Sequence, residues 1–211
     1  GLYLLGKIRF KHDSPLEYLS VPRLTLSIAV FAFVVYLLPG MWGAPLKAVS
    51  AFAPPMKTQD FSLAPEQEVK PMFTDYEEGM TYAKAHNLPV MIDFTGYGCV
   101  NCRKMEAAVF TDPTVADIMT NKYVLIQLYV DEKTNLPEPM LVSDNGTERK
   151  LRTVGDRWSY LQSQKFGATA QPFYVLLDND GNPLEKSYSY DEDIPKFLDW
   201  LNSGLSRYNN L

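Results

Sequence analysis

Apolar residues recur along residues 66–211 with two different spacings. Some segments repeat them every three or four positions, which predicts helices with one buried face. Others form short apolar runs bounded by Pro, Gly, Asn or Asp, which predicts buried strands. Helices are predicted at residues 75–87, 100–110, 112–122, 155–166 and 194–208, and strands at residues 88–96, 123–131, 172–178 and 184–190. This order predicts a mixed α/β sheet with helices on both faces.

Residues 132–153 break this pattern because they are polar, contain two prolines and include "DNG". They are predicted to form a long loop or an insertion. Asn145 begins a match to a glycosylation sequon, a short pattern that is common by chance. The last two strands are predicted to pair as a hairpin through the turn "NDGN" at residues 179–182.

The N-terminal part has a different pattern, since no charged residue occurs from Leu24 to Leu46. A spanning helix needs about 20 mostly apolar residues, so residues 21–46 are predicted to cross a membrane. A buried core helix or an uncleaved signal peptide is the alternative. Residues 1–20, which open with "GLYLLG", are predicted to be the end of an earlier membrane segment and a cytoplasmic loop of a longer protein, or else an ordinary buried or frayed terminus. Residues 47–65 contain three prolines and are predicted to be a linker.

Charge is distributed unevenly along the chain. Residues 1–59 carry six basic and two acidic side chains, a formal +4, whereas residues 60–211 carry 14 basic and 23 acidic side chains, a formal −9. An acidic domain argues against nucleic-acid binding. Lys7, Arg9, Lys11 and Arg23 precede the apolar run or open it, and Lys47 and Lys57 follow it. The positive-inside rule therefore predicts a cytoplasmic N-terminal side, with the residues after about 46 outside the cytoplasm.

The chain contains two cysteines, Cys99 and Cys102, within the sequence "FTGYGCVNCRKME". A C-x-x-C pair between a predicted strand and a predicted helix is typical of a redox motif. A helix N-terminus stabilises an anion, so a Cys99 thiolate would be favoured as the attacking species. Cys102, about one turn further along, would then attack the mixed disulfide. Gly96 and Gly98 would keep the first sulfur accessible.

Two other roles for the cysteine pair stay open. A metal site needs about four ligands, and the two histidines, His12 and His86, are the remaining soft donors in the sequence. His12 lies across the proposed membrane, and His86 is predicted to be a surface residue near a helix end. A purely structural disulfide is the other alternative, although a bridge that closes so short a loop stabilises a fold only slightly.

Charged residues lie on both sides of the pair. Asp93 lies in an apolar run six residues before the first cysteine, where a buried carboxylate would take and return the proton of Cys102 and disfavour nearby thiolates. A strand-end Asp bonded to backbone donors is the alternative. Glu106, four residues after Cys102, is predicted to add to this negative field or to be an exposed helix carboxylate. Arg103 and Lys104 are predicted to be solvated helix charges.

Pro172 opens the third predicted strand, after "GATAQ". A proline at this position is normally a feature of an edge or of a strand start. A cis bond between Gln171 and Pro172 would instead place the backbone beside the sulfurs, ready to pair with a substrate strand. The sequence alone leaves both alternatives open.

The segment "MIDFTGYGCVNCRKME", with Asp93 and Glu106 at these spacings, resembles the C-terminal thioredoxin-like domain of the DsbD-type membrane thiol:disulfide interchange proteins. The segments "GLYLLGKIRF", "GAPL" and "SAFAPP" are similar to the last membrane segments of that family, so the resemblance covers nearly the whole chain. It implies a thioredoxin-like fold over residues 66–211, with a mixed central sheet flanked by helices and preceded by one transmembrane helix.

The resemblance also implies roles for individual residues. Cys99 would be the nucleophile, Cys102 the resolving cysteine, Asp93 and Glu106 the tuning carboxylates, and Pro172 the cis-proline. Residues predicted to contact a substrate are Tyr97, Val100, Asn101, Gln171 and Pro172. Two features depart from the family: "TGYG" replaces an aromatic-rich turn, and Asn101 stands where smaller residues are common. No cofactor is predicted beyond the redox-active disulfide.

Family members carry electrons from cytoplasmic thioredoxin through a membrane domain to this outer domain, and on to periplasmic disulfides. The resemblance therefore implies a protein-disulfide reductase of the bacterial inner membrane. Its predicted partners are a membrane-embedded donor domain of the same protein and periplasmic disulfide-containing proteins. Two alternatives are a stand-alone membrane-anchored thioredoxin-like protein for cytochrome c maturation and a non-catalytic thioredoxin-like binding domain with an inert disulfide.

Overall fold

The computed structural model describes residues 1–14, 16–42, 69–144 and 147–211, and the chain divides into an N-terminal and a C-terminal unit. The N-terminal unit contains helix α1 (Val21–Leu37), which continues into a 3-10 turn at Leu38–Trp42. The stretch Val21–Gly40, 20 residues long, is apolar enough to cross a membrane, a test that a signal sequence also passes. Most of its side chains are exposed within the described residues, unlike those of a buried core helix. Residues 43–46 of the predicted span and the predicted linker lie outside the described residues.

A capped helical turn precedes α1. Gly6 has a φ of 70°, its amide donates to Tyr3, and the amide of Lys7 donates to Leu2. These are the hydrogen bonds of a Schellman motif, which ends a helical turn and needs a residue such as glycine at positive φ. Arg23 of α1 donates to two carbonyls of the same turn, so a cation lies at its C-terminal end. An earlier membrane segment stays a prediction.

The C-terminal unit is a mixed α/β fold, as predicted. Its helices are α2 (Tyr76–His86), α3 (Val100–Ala108), α4 (Pro113–Asn121), α5 (Val154–Phe166) and α6 (Ile194–Tyr208). Its strands are β1 (Val90–Thr95), β2 (Val124–Tyr129), β3 (Asn135–Asp144), β4 (Thr147–Thr153), β5 (Phe173–Leu177) and β6 (Tyr188–Ser189). The main sheet has the order β2-β1-β5-β6, in which β1 is parallel to β2 and antiparallel to β5. The two central strands are buried along their whole length, which explains their uninterrupted apolar runs.

Side chains of β1 alternate between two hydrophobic layers. Its even-numbered residues belong to a core cluster with residues of α2 and α5, whereas Met91 belongs to a cluster with residues of α3, α4 and α6. Successive side chains of a strand point to opposite faces of the sheet. Asp93 and Thr95 therefore lie on the face that α3 covers, which brings a carboxylate to the same side as the helix that begins with the cysteines.

Within residues 132–153, β3 and β4 pair with each other, so the predicted long loop is wrong, whereas an insertion stays a prediction. The pairing is antiparallel, and its register shifts in the part of β3 that contains Pro137 and Pro139, because prolines lack the amide that a ladder needs. Leu151 is fully buried, whereas most other described side chains of the hairpin are exposed, so its sequence shows little apolar alternation. The sequon at Asn145 lies outside the described residues.

The strand predicted at residues 184–190 is much shorter in the structure, where β6 holds two residues. Trp200 of α6 donates from Nε1 to the carbonyl oxygen of Lys186 at 2.7 Å. A helix side chain thus binds a carbonyl that a longer strand would have used in its ladder. The predicted turn at residues 179–182 does form, with Gly181 at positive φ.

Candidate active site

The two cysteines lie where the central strand β1 leads into α3. Cys99 is the N-cap of α3, and its Sγ accepts a hydrogen bond from the amide of Cys102 at 3.1 Å. The two residues form a disulfide with their Cα atoms 5.3 Å apart. Cys99 is partly exposed and Cys102 is 2% exposed. The first sulfur is therefore open to a partner while the second is covered, which is the geometry that a two-step exchange needs.

Asp93 is buried on the α3 side of the sheet, with 2% of its surface exposed. Gln127 lies opposite it on β2 and donates from Nε2 to Asp93 Oδ2 at 3.0 Å. Burying a carboxylate is costly unless polar groups compensate for lost water, and the amide of Gln127 contributes to that compensation. The placement agrees with the predicted position of Asp93, and its part in proton transfer stays a prediction.

Arg103 is buried, so the prediction that it is a solvated helix charge is wrong. Its side chain is 5% exposed, and Nη1 pairs with Glu106 Oε2 at 2.6 Å. Nη2 donates to Thr95 Oγ1 at 3.1 Å. The Glu106 side chain is 25% exposed and pairs with Arg103, so it is not the exposed helix carboxylate of one alternative. Its contribution to the negative field around the cysteines stays a prediction. Lys104, by contrast, is partly exposed and lies 5.6 Å from the ring centroid of Tyr190.

Two buried tyrosines flank these charges. Tyr129 lies opposite Thr95 in the sheet register, and Tyr174 lies opposite Asp93. Burial raises the pKa of both phenols well above its ordinary value, the charges of Glu106 and Asp93 raise it further, and Arg103 acts against this. Both tyrosines are therefore neutral at physiological pH and add polar groups, not charges, to this side of the site.

The turn before Cys99 is anchored by Asp131, which follows β2. The Asp131 carboxylate accepts hydrogen bonds from the amides of Tyr97 at 2.9 Å and Gly98 at 3.0 Å. A Cβ atom on Gly96 would lie 3.1 Å from Asp131 Oδ2, so glycine leaves room for this contact. The sequence analysis missed Asp131. The available signal was its place after a strand parallel to β1, because such strands end at one edge of the sheet.

Tyr97 links this turn to Glu132, which lies just before β3 in the sequence. Its ring stacks on Tyr129 with centroids 4.2 Å apart, and its hydroxyl donates to Glu132 Oε2 at 2.8 Å. Burial, followed by the hydrogen bond and charge of Glu132, raises the pKa of Tyr97 to about 12. The amide of Thr134 and then the Tyr97 hydroxyl lower the pKa of Glu132. At neutral pH, a neutral phenol therefore donates to a charged carboxylate, which strengthens the bond.

Of the residues predicted to contact a substrate, Tyr97, Val100 and Asn101 lie beside Cys99 in sequence and are exposed, whereas Pro172 is buried. Tyr97 is 46% exposed and Val100 is 42% exposed, although both carry large apolar side chains. Asn101 is exposed as well. An exposed aromatic ring and an exposed valine beside Cys99 offer apolar surface to a docking partner.

The Gln171–Pro172 peptide bond is cis, which decides between the two predicted alternatives for this proline. The antiparallel register of β1 and β5 places Pro172 at the edge of the sheet from which the Cys99 turn leaves. Gln162, fully buried in α5, donates to the carbonyl of Ala170 at 2.9 Å and accepts from Gln171 Nε2 at 2.8 Å. The sequence analysis missed Gln162, because a polar residue in a helix predicts exposure unless its neighbours are known.

Among the described residues there is no group of three or more His, Cys, Asp and Glu side chains that could hold a metal ion. His86 is exposed and bonded to Tyr82, and His12 belongs to the N-terminal unit. The chemistry that this arrangement supports is thiol–disulfide exchange at Cys99 and Cys102.

Residues 76–204 match the thioredoxin-like domain family. A DsbH oxidoreductase has a similar fold, with a TM-score of 0.50 and 16% identity over 69% of this chain and 91% of that chain. A thioredoxin from Thermus thermophilus follows, with a TM-score of 0.44 and 18% identity over 63% of this chain and 85% of that chain. A redox protein from Chlamydomonas reinhardtii has a TM-score of 0.42 and 16% identity over 70% of this chain and 40% of that chain. No curated protein matches the sequence.

The family match covers more than half of the chain, and with the DsbH structure it confirms the predicted thioredoxin-like fold class. At such low identity, a similar structure supports the fold and nothing finer. These matches do not extend to the DsbD-type proteins that the sequence resembles.

Proposed function

The chain belongs to the thioredoxin-like family, and we propose that it is a protein-disulfide reductase that acts outside the cytoplasm of a bacterium, anchored in the inner membrane. One observation carries the proposal: the Cys99–Cys102 disulfide has one accessible sulfur at a helix N-terminus and one buried sulfur. The buried carboxylate of Asp93, on the same face of the sheet as α3, supports a redox role over an inert disulfide.

The reductive half of the cycle consists of two exchanges. The Cys99 thiolate attacks one sulfur of a partner disulfide, so that a Cys99–partner bond forms, the partner's bond breaks, and the leaving sulfur takes up a proton. Cys102 then gives its proton to a base, a role that we assign to Asp93, and attacks Cys99 Sγ. The internal disulfide forms and the partner's first sulfur leaves as a thiol. Two electrons and two protons have then passed from the dithiol to the partner.

A second dithiol must reduce the Cys99–Cys102 disulfide again. We assign this step to a cysteine pair in a membrane-embedded domain of the same protein, whose dithiol becomes a disulfide as this one opens. The resemblance to DsbD-type proteins supports the assignment, and the apolar helix α1 supports an anchor. The excess of basic residues before and at the start of α1 supports a periplasmic position for the C-terminal unit.

The direction of electron flow follows from charge. A carboxylate near the cysteines disfavours their thiolates and therefore disfavours the reduced state, which favours electron donation. We expect a reduction potential near the thioredoxin value of about −270 mV. A value near about −120 mV, as in strong oxidants, would contradict the reductase assignment.

The decisive experiment traps the mixed disulfide in cells. With Cys102→Ser, the first exchange proceeds and the second does not, so partners stay attached to Cys99. We expect adducts with disulfide-containing proteins outside the cytoplasm and with a membrane protein that carries a cysteine pair. The matched control, Cys99→Ser with Cys102→Ser, should give none. Absence of adducts, together with resistance of Cys99 to alkylation after mild reduction, would support an inert disulfide instead.

A further inference from the structure

The buried guanidinium of Arg103 has no part in the exchange steps described above, yet its position beside the cysteines is specific. Its Nη2 donates to Thr95 Oγ1 at 3.1 Å and to the Gly96 carbonyl at 3.5 Å. Its backbone amide donates to the Cys99 carbonyl at 3.2 Å, and the Cys99 amide donates to the Gly96 carbonyl at 3.2 Å. Arg103 therefore contacts the turn that carries the accessible cysteine at both of its ends.

The same side chain also balances charge. The titratable groups that face this cluster or the turn are Asp93 on β1, Tyr97 in the turn, Glu106 on α3, Tyr129, Asp131 and Glu132 on or after β2, and Tyr174 on β5. Lys104, also on α3, lies over the Tyr190 ring instead. Tyr129 and Tyr174 are neutral because burial raises the pKa of each. The 2.6 Å ion pair cancels the charge of Glu106, which would otherwise disfavour a thiolate together with Asp93.

We propose that Arg103 is a positioning residue for thiol–disulfide exchange: it cancels the charge of Glu106 and holds the turn at residues 96–99, and so keeps Cys99 reactive at neutral pH. The inference rests on the proposed function, because thiol–disulfide exchange is what requires a reactive Cys99 thiol. Arginine suits the site because its planar group offers five donors, and here it contacts a carboxylate, a hydroxyl and a carbonyl. Lysine would keep the positive charge but would lose this planar arrangement of donors.

The test measures the rate at which iodoacetamide alkylates Cys99 as a function of pH, in a Cys102→Ser background so that one thiol reacts. Arg103→Gln removes the cation that pairs with Glu106, so the rate at pH 7 should fall about three- to tenfold and the midpoint of the pH profile should rise. Glu106→Gln leaves Arg103 uncompensated and should move the midpoint down. The double variant, Arg103→Gln with Glu106→Gln, should return the midpoint toward that of the unchanged background.

Arg103→Lys is the matched control, because it keeps the charge. Its midpoint should stay close to that of the unchanged background, and a shift as large as that of Arg103→Gln would overturn the electrostatic part. A lower thermal midpoint in Arg103→Gln with an unchanged alkylation profile would show a merely structural role and overturn the proposal. If Arg103→Gln does not fold, Glu106→Gln tests the electrostatic part, and an unchanged midpoint in that variant would overturn the proposal.

Reduction of insulin disulfides by the unchanged protein separates this inference from the proposed function. If the unchanged protein reduces no disulfide, the proposed function fails, while the alkylation profiles still support or overturn the role of Arg103. If it is active and the profiles of Arg103→Gln and Glu106→Gln coincide with that of the unchanged background, the inference fails and the function stands.

Discussion

The disulfide separates two regions that are built in different ways. The inner cluster comprises Asp93, Arg103, Glu106 and Gln127, whose side chains are buried or mostly buried and bind one another. The outer turn, residues 96–101, exposes the side chains of Tyr97, Val100 and Asn101, and Asp131 holds the turn through two backbone amides. From this difference we expect the reactivity of the cysteines to depend on buried side chains of the inner cluster, and recognition of a partner to depend on exposed side chains of the outer turn.

This difference has an energetic basis. Removing one member of a buried polar pair leaves the other member without compensation, which costs more than the bond itself contributed. An exposed side chain can exchange its protein contacts for water at small cost. Changes in the inner cluster should therefore affect every substrate, and changes in the outer turn should affect only large partners.

The largest expected effect comes from Asp93→Asn in the inner cluster. Asparagine keeps the shape and an acceptor for Gln127, but it cannot take the proton of Cys102. We expect turnover of a small disulfide and of a protein disulfide to fall by about 10²-fold, the usual contribution of a positioned base. Steady-state rates across pH would measure this, and the limb of the pH profile due to Asp93 should disappear.

Asp131→Asn makes the same chemical change at the outer turn and is the control. Its amide oxygen can still accept from one of the two backbone amides, Tyr97 or Gly98, and the change touches no reacting atom. We therefore expect a rate within about threefold of the unchanged protein. Equal losses in the two variants would mean that the inner and outer carboxylates are not functionally distinct.

The second largest effect should follow from Gln162→Leu, which removes the buried anchor of the loop before Pro172. The Ala170 carbonyl loses the donor Gln162, and the Gln171 side-chain amide keeps only the Thr169 carbonyl as an acceptor. We expect a loss of about 1–3 kcal/mol in the free energy of unfolding. Urea unfolding measures it. Gln171→Ala removes the partly exposed partner in the same hydrogen bond and should lower the free energy of unfolding by less. A larger loss in Gln171→Ala would show that burial does not determine how much each partner stabilises this loop.

Tyr97→Ala tests recognition at the outer turn. Loss of the exposed ring should raise KM for a protein partner about tenfold, since a central aromatic contact contributes about 1–2 kcal/mol to binding. Turnover of a small disulfide, which does not cover Tyr97, should be nearly unchanged. Tyr97→Phe keeps the ring and its stack on Tyr129 and is the matched control. A comparable loss with the small disulfide would place Tyr97 in the chemistry instead.

The smallest expected effect is a pH dependence of stability at Glu132. Its pKa is lowered in the fold from an ordinary 4.5, first by the Thr134 amide and then by the Tyr97 hydroxyl. The stability that Glu132 contributes is therefore fully present above its pKa in the unfolded state, and it is lost as the pH falls through its pKa in the folded state. Tyr97→Phe removes one donor, so the two proteins should differ by about 0.5 kcal/mol at pH 7 after allowance for solvent screening. Urea unfolding should show this difference shrinking toward pH 3, and a constant difference would contradict the linkage.

Elements with strong apolar patterns were predictable from the sequence. The fully buried strands β1 and β5 and the amphipathic helix α6 lie close to their predicted positions, because continuous burial or a single buried face leaves a clear pattern. The β3–β4 hairpin was not predictable, because most of its described side chains face solvent and its pairing is interrupted near two prolines. The short β6 was not predictable either, since a side chain of α6 binds the carbonyl of Lys186, which a longer strand would have used in its ladder.

The sequence by itself determined that Cys99 and Cys102 join a buried strand to a helix, and that Asp93 lies in an apolar run before them, because these are local properties of pattern and spacing. Only the tertiary structure decided that Arg103 is buried against Glu106 and that Asp131 holds the turn. It also decided that Gln162 anchors the loop before Pro172. The physical reason is that burial of a charge depends on which helix face packs on the sheet, and contacts between distant segments depend on how the strands assemble.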